Sequence, residues 1–138
     1  MKNQITTNFT LDELTASTTA KKYNIDNTPS EEVYDNLVKL CKEVLQPIRD
    51  KYKKPITVTS GFRCKELNDK LKGSKTSQHM TGCAVDIDTP NNEVLFNLII
   101  SMLNNNEIEV SQCIDEKKYS WIHLGLYVGG KHNQVLHL

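Results

Sequence analysis

Ser77-Gln78-His79-Met80-Thr81-Gly82-Cys83-Ala84-Val85-Asp86, followed far downstream by Trp121-Ile122-His123, is the stretch on which the reading of this chain turns. An imidazole, a carboxylate seven residues later and a second, distant imidazole form a three-ligand set. Such a set leaves a divalent zinc ion one open coordination position for water, and metal-assisted hydrolysis is the chemistry it points to. Taken singly, each residue has a plainer reading as well. His79 is also a surface imidazole in a polar loop, Asp86 a turn acceptor at a strand end and His123 a structural histidine with its hydrogen bonds satisfied. Spacing alone leaves both readings open.

The segments around the three residues predict how they are carried. Cys83 to Ile87 reads as a strand with Asp86 near its end, stopped by Asp88-Thr89-Pro90. Ile108 to Ile114 and Trp121 to Val128 read as two further strands joined by the polar turn Asp115-Glu116-Lys117-Lys118, with a short edge at Val135-Leu136. Side chains alternate along a strand, so Ile122, Leu124 and Leu126 face one way and Trp121, His123 and Gly125 the other. That second face suits a cleft wall, with Gly125 leaving room beside His123. Trp121 is either part of that wall or a core tryptophan.

Upstream, helical signals dominate. Thr10 caps a short helix from Leu11, with Asp12 and Glu13 at its positive end, and Ser30 caps a long one over Val33, Leu37, Leu40, Cys41, Val44, Leu45 and Ile48. Pro47 should kink or end that helix. Ile56 to Thr59 is β-branched and reads as a strand, left by Ser60-Gly61-Phe62-Arg63. Cys64 to Lys72 reads as a short helix, Gly73 to Ser77 as a loop, and Val94 to Leu103 as a second helical stripe behind Asn91 or Asn92. Helices first and paired strands later give an α+β class with a small, mainly antiparallel sheet packed with helices.

A chain of 138 residues, 38% of them hydrophobic, can bury one core, so residues 1–138 are expected to form a single domain and a monomer. Seventeen basic and seventeen acidic residues cancel, which removes the basic footprint that holds nucleic acid. No apolar run approaches the roughly 18 residues of a membrane span, and Met1 to Thr6 lacks the apolar stretch of a secretory signal. A soluble cytoplasmic product without a signal peptide and without a membrane partner is expected. Cys41, Cys64, Cys83 and Cys113 are far apart and form no Cys-x-x-Cys pair, so they read as reduced structural thiols. His132 and His137 match no ligand pattern and read as surface residues.

The pattern Ser-x-His-x-x-Gly-x-Ala-x-Asp, with Ser60-Gly61-Phe62-Arg63 before it and Trp121-Ile122-His123 after it, resembles the D-Ala-D-Ala carboxypeptidase-like zinc peptidases of the hedgehog/DD-peptidase fold, peptidase family M15. Phe9 to Leu14 with Ser17 and Ala20, then Ile25, Asn27, Pro29 and the run from Asn36 to Arg49, are similar to the N-terminal helical part of small phage-borne or bacterial members. The resemblance implies that His79, Asp86 and His123 bind one zinc ion, with water or substrate in the fourth position. It implies that Arg63 serves the developing oxyanion or a substrate carboxylate, against a plain ion pair at a helix start, and that Ser77 contacts substrate, beside the apolar wall for a substrate that strand alternation lets Trp121 offer. The implied substrate is the stem peptide of bacterial cell-wall peptidoglycan, cut at the wall or in the periplasm by carboxypeptidase or endopeptidase action, as by a phage endolysin.

The general base is where this sequence departs from better-known relatives. Two residues before the last ligand some members carry a histidine, where this chain has Trp121, and three before it others carry an acid, where this chain has Ser120. The resemblance points to Glu116, a glutamate position in small members, with Asp115 in reserve. The competing function is a non-catalytic, zinc-stabilised binding module of the same fold, which needs neither Arg63 nor Glu116.

Overall fold

The computed structural model describes residues 1–138 and is α+β in class. Strands β1 (Gln4–Thr6) and β2 (Phe9–Thr10) form a small hairpin that leads into helix α1 (Leu11–Thr15). Thr10 caps that helix, as the sequence predicts, and Glu13 adds the reciprocal bond by accepting from the Thr10 backbone N–H. Helix α2 (Thr18–Lys22) follows, and Ser30 then caps the long α3 (Glu31–Leu40).

Pro47 does not end the helix that contains it. A π-helical turn, Cys41–Leu45, intervenes before α4 (Gln46–Tyr52), with Gln46 N–H reaching back to Cys41 O. Proline has no N–H to give the ladder, and a widened turn directly before it is where the hydrogen-bond pattern is reset so that the helix runs on. Leu37, Leu40, Val44, Leu45 and Ile48 therefore stay on one buried side.

The main sheet is built from β3 (Thr57–Ser60), β4 (Ala84–Asp88), β5 (Gln112–Glu116), β6 (Trp121–Gly125) and β7 (Gln134–His137), in the order β3-β4-β6-β5-β7. All pairs are antiparallel except β5 with β7. One face of the sheet carries Val85, Ile87, Ile122 and Leu124 into a core shared with α3, α4 and the amphipathic helix α6 (Asn92–Asn104), capped by Asn91. The opposite face carries Asp86, His123 and Glu116. Helix α5 (Lys65–Lys70) connects β3 towards a 3₁₀ turn, Gln78–Thr81, which holds His79. No helix is long and apolar enough to cross a membrane.

The loop expected over Asp115 to Lys118 is shorter than its sequence implies. Strand β5 runs on through Glu116, and the turn consists of residues 117–120, with Lys117, Lys118 and Tyr119 all at positive φ. Polar side chains made the strand end look like a turn, whereas the ladder to β6 continues through the pair Glu116 and Trp121.

All four cysteines are free, and Cys41, Cys83 and Cys113 are buried. Burial, aided by the nearby charges of Glu13 and Asp115 respectively, pushes the Cys41 and Cys113 thiols up to about 12. In the unfolded chain such thiols ionise near 8.5. The folded state thus keeps protons that the unfolded state has released. The contribution is fully present below about pH 8.5 and lost as pH rises towards 12, at about 1.4 kcal/mol per pH unit for each thiol. Urea unfolding measured from pH 7 to 10.5 should show this falling limb, and the Cys41→Ala, Cys113→Ala double variant should flatten it; an equally steep limb in that variant would exclude the thiols as its source.

Candidate metal centre

Three strands and one turn deliver the cluster. In the sheet register Asp86 stands opposite His123 on β6 and opposite Ser60 on β3, so all three share the face away from the core. A bulge between Val58 and Ser60 makes this possible. Val58 pairs with the core-facing Ile87, and the extra residue, Thr59, lets Ser60 turn to the same face as Asp86. The Thr59 hydroxyl donates to Asp86 O at 3.2 Å.

The segment after the bulge fixes the first imidazole. Gly61 O lies 2.7 Å from His79 Nδ1. A carbonyl only accepts, so Nδ1 carries the proton and the lone pair of Nε2 is left to face the cluster. Gly61 can stand there only without a side chain, because a Cβ would come within 2.2 Å of Leu14 O on α1. Phe62 N–H donates to that same Leu14 O at 2.7 Å, and Asn27 ties the loop down by donating to Thr15 O and Phe62 O while accepting from Cys64 N–H. The N-terminal helices thus hold the backbone that orients His79.

Asp86 Oδ1 lies 3.5 Å from His79 Nε2 and 3.0 Å from His123 Nδ1, and its Oδ2 lies 3.6 Å from the Arg63 guanidinium. Burial by itself would raise the Asp86 carboxyl, but the contacts with His123 and His79 outweigh it and hold the group far below the usual carboxylate range. It is therefore a charged group sunk in the sheet. One ligand atom from each of His79, Asp86 and His123 lies within 4.8 Å of the others, an arrangement that can hold a metal ion. The donor set fits that use: Gly61 O holds Nδ1, so Nε2 is the His79 ring atom left to face the Asp86 carboxylate and an ion shared with it.

Around this cluster the other sequence-predicted residues fall out unevenly. Arg63 arrives beside it, held by its Nε donating to Ser60 Oγ at 3.1 Å and by its backbone N–H donating to His79 O at 3.0 Å. Ser77 caps the 3₁₀ turn, its hydroxyl accepting from His79 N–H at 3.2 Å, and also lines the cleft beside His123. Trp121 is half-buried on the His123 face with Lys117 Nζ 5.4 Å from its ring centre, so it is not a core tryptophan.

Glu116 and Asp115 separate cleanly. Ile114 is the residue opposite His123, and Glu116, two further along β5, is on that same face, a diagonal step of roughly 7–8 Å. Its side chain makes no hydrogen bond or ion pair within the chain. Asp115 faces the other side and cannot serve as the reserve base. It is buried, accepting from Tyr119 N–H at 2.5 Å and binding His137 Nδ1 at 3.1 Å, and so holds the left-handed turn and the edge strand β7. His137 is accordingly a partner of Asp115 and His132 is paired with Glu109 at 2.8 Å, and both are exposed, as the sequence predicts.

Sequence reasoning missed Ser111 and the carbonyl of Gly61. Nothing in local composition marks a serine two residues before Cys113, and a backbone carbonyl leaves no signal except the glycine that lets it approach. Compared with models of protein families, residues 7–125 match the one described as Peptidase M15. No curated protein matches the chain.

The two neighbouring acids should respond oppositely to truncation. Asp115→Ala leaves the Tyr119 N–H without its acceptor and should lower unfolding stability by about 1–3 kcal/mol, whereas Glu116→Ala should stay within about 0.5 kcal/mol. Chemical denaturation of the two variants checks this, and equal losses would contradict the division of roles.

Proposed function

This chain belongs to the peptidase M15 family, and from that premise we propose that residues 1–138 form one zinc peptidase domain that hydrolyses peptide bonds of bacterial cell-wall peptidoglycan. The observation that carries the reading is the convergence of His79 Nε2, Asp86 and His123 Nδ1 on one point, beside a glutamate that nothing else in the chain engages. His79, Asp86 and His123 would hold the ion. When bound, zinc acts as a Lewis acid towards the scissile carbonyl and brings the pKa of a water near 7.

The residues around that point divide the remaining work. Glu116, on the face of His123, takes the proton from the attacking water as its oxygen bonds to the carbonyl carbon, then delivers it to the departing amine as the C–N bond breaks. The guanidinium of Arg63 supplies fixed donors for the charge that grows on the carbonyl oxygen, and its anchoring by Ser60 and Asp86 keeps it aimed without reorganisation. Trp121 offers an apolar wall to the substrate, and Ser77 a hydroxyl. Carboxypeptidase and stem-peptide endopeptidase action both fit this arrangement. A zinc-stabilised binding module would not need Glu116 on this face, and its unpaired side chain favours catalysis over that reading.

Metal analysis and mass spectrometry of digested peptidoglycan test the proposal together. The wild-type protein should retain one equivalent of zinc and release peptide fragments, and a chelator should stop release until zinc is restored. Glu116→Gln should keep the zinc and lose activity by roughly a hundredfold or more, while Asp86→Ala should lose both. A zinc-loaded wild-type protein inert on peptidoglycan of several wall types would refute the enzymatic reading.

A further inference from the structure

A cleft of about 450 Å³ opens beside His123, and none of its nine lining residues is hydrophobic. None is acidic either. Its hydrogen-bonding groups are weighted towards donors. Gln78 Oε1 accepts from Ser111 Oγ at 3.1 Å, which fixes the carboxamide and leaves its N–H₂ group as the free end. Ser77 Oγ is already an acceptor for His79 N–H, so what its hydroxyl has left to give is a proton. Gln112 turns its amide N–H₂ to Gln134 on the edge strand at 2.7 Å, leaving its oxygen as the one uncommitted side-chain amide acceptor in the lining.

The clamp on Gln78 is built into the sheet. Gly125 on β6 faces the pair, and a Cβ there would stand 2.1 Å from Ser111 Oγ and 2.7 Å from Gln78 Oε1. Ser111 is buried, and its backbone N–H donates to Gly125 O at 2.9 Å. The strand that carries His123 therefore omits a side chain two residues later, and the space holds an oriented amide.

Lys131 supplies the charge. It lines the same cleft and forms no ion pair within the chain. It follows Gly129 and Gly130, at φ +95° and +80°, where a Cβ would meet nothing within 4 Å, so the lysine rises from an open turn. This segment lies outside residues 7–125 that match the family model.

An ammonium without an ion pair, an amide held donor-end free and a hydroxyl, in a lining that holds no acidic residue, complement an anion rich in acceptors. We propose that this cleft is a specificity subsite for a free carboxylate of the peptide substrate, with Lys131 as its counter-charge and Gln78, oriented by Ser111, as its directed donor. The inference rests on the peptidase reading of the adjoining centre and adds the substrate class: peptides whose carboxylate next to the cut bond is free and not amidated.

The test is equilibrium binding of two synthetic peptides of L-alanine and D-glutamate, identical except that one has free carboxylates and the other carboxamides. Calorimetry uses zinc-loaded protein carrying Glu116→Gln, so that neither probe is consumed. The free-carboxylate peptide should bind roughly tenfold more tightly, and added salt should narrow the gap. Lys131→Ala should abolish the preference, and Gln78→Glu should weaken the free-carboxylate peptide selectively. Equal or undetectable binding of both probes, or a preference that survives Lys131→Ala, would overturn the subsite. A protein that cuts no peptidoglycan yet keeps a Lys131-dependent preference refutes the enzymatic reading alone; one that cuts peptidoglycan without the preference refutes the subsite alone.

Discussion

The carboxylate of Asp86 sits in the sheet with one oxygen towards two imidazoles and the other towards a guanidinium. An ionised carboxylate removed from water is costly unless hydrogen bonds and opposite charge offset the loss of solvation. Much of the surrounding architecture meets that requirement. The bulge in β3 turns Ser60 towards Arg63, Gly61 passes close under α1 and presents its carbonyl to His79, and the pairing of β4 with β6 sets His123 opposite. A cation shared among the three ligand atoms would complete the same balance, so the group that is hardest to bury is also the one best placed to hold a metal.

The sheet separates structure from chemistry by alternation. Along β5, Cys113 and Asp115 point to the core side and Ile114 and Glu116 to the site side. Two adjacent acids thereby acquire unrelated roles. Asp115 is consumed by the Tyr119 N–H and His137 and stabilises a turn of three left-handed residues, while Glu116 is left without a partner beside His123. A single-residue slip of β5 would exchange them, which makes the register of this strand as important to the proposed reaction as the identity of its residues.

Much of this was legible from side-chain chemistry. The spacing of His79 and Asp86, the alternation around His123, the capping signals at Thr10, Ser30 and Asn91, and the helical stripes all reflect local rules that the fold respects. The errors share a cause. Asp115 to Lys118 is polar throughout, and polarity does not tell a strand end from a turn; the pairing with Trp121 decides it. Pro47 reads as a kink or an end of its helix, and the helix runs on through it because of the π-helical turn before it, which depends on packing, not on composition. His137 is exposed, as its sequence reading has it, but its tie to Asp115, 22 residues away on a neighbouring strand, leaves no local trace. The Gly61 carbonyl and the seat of Gln78 on Ser111 are tertiary contacts whose only sequence traces are glycines.

X-ray absorption at the zinc edge of the zinc-loaded protein addresses the centre most directly. The account predicts a four-coordinate first shell of nitrogen and oxygen at roughly 2.0–2.2 Å, with the multiple-scattering pattern of two imidazoles that drops to one in His123→Ala. Sulfur at roughly 2.3 Å, or an imidazole pattern unaltered by that substitution, would contradict it.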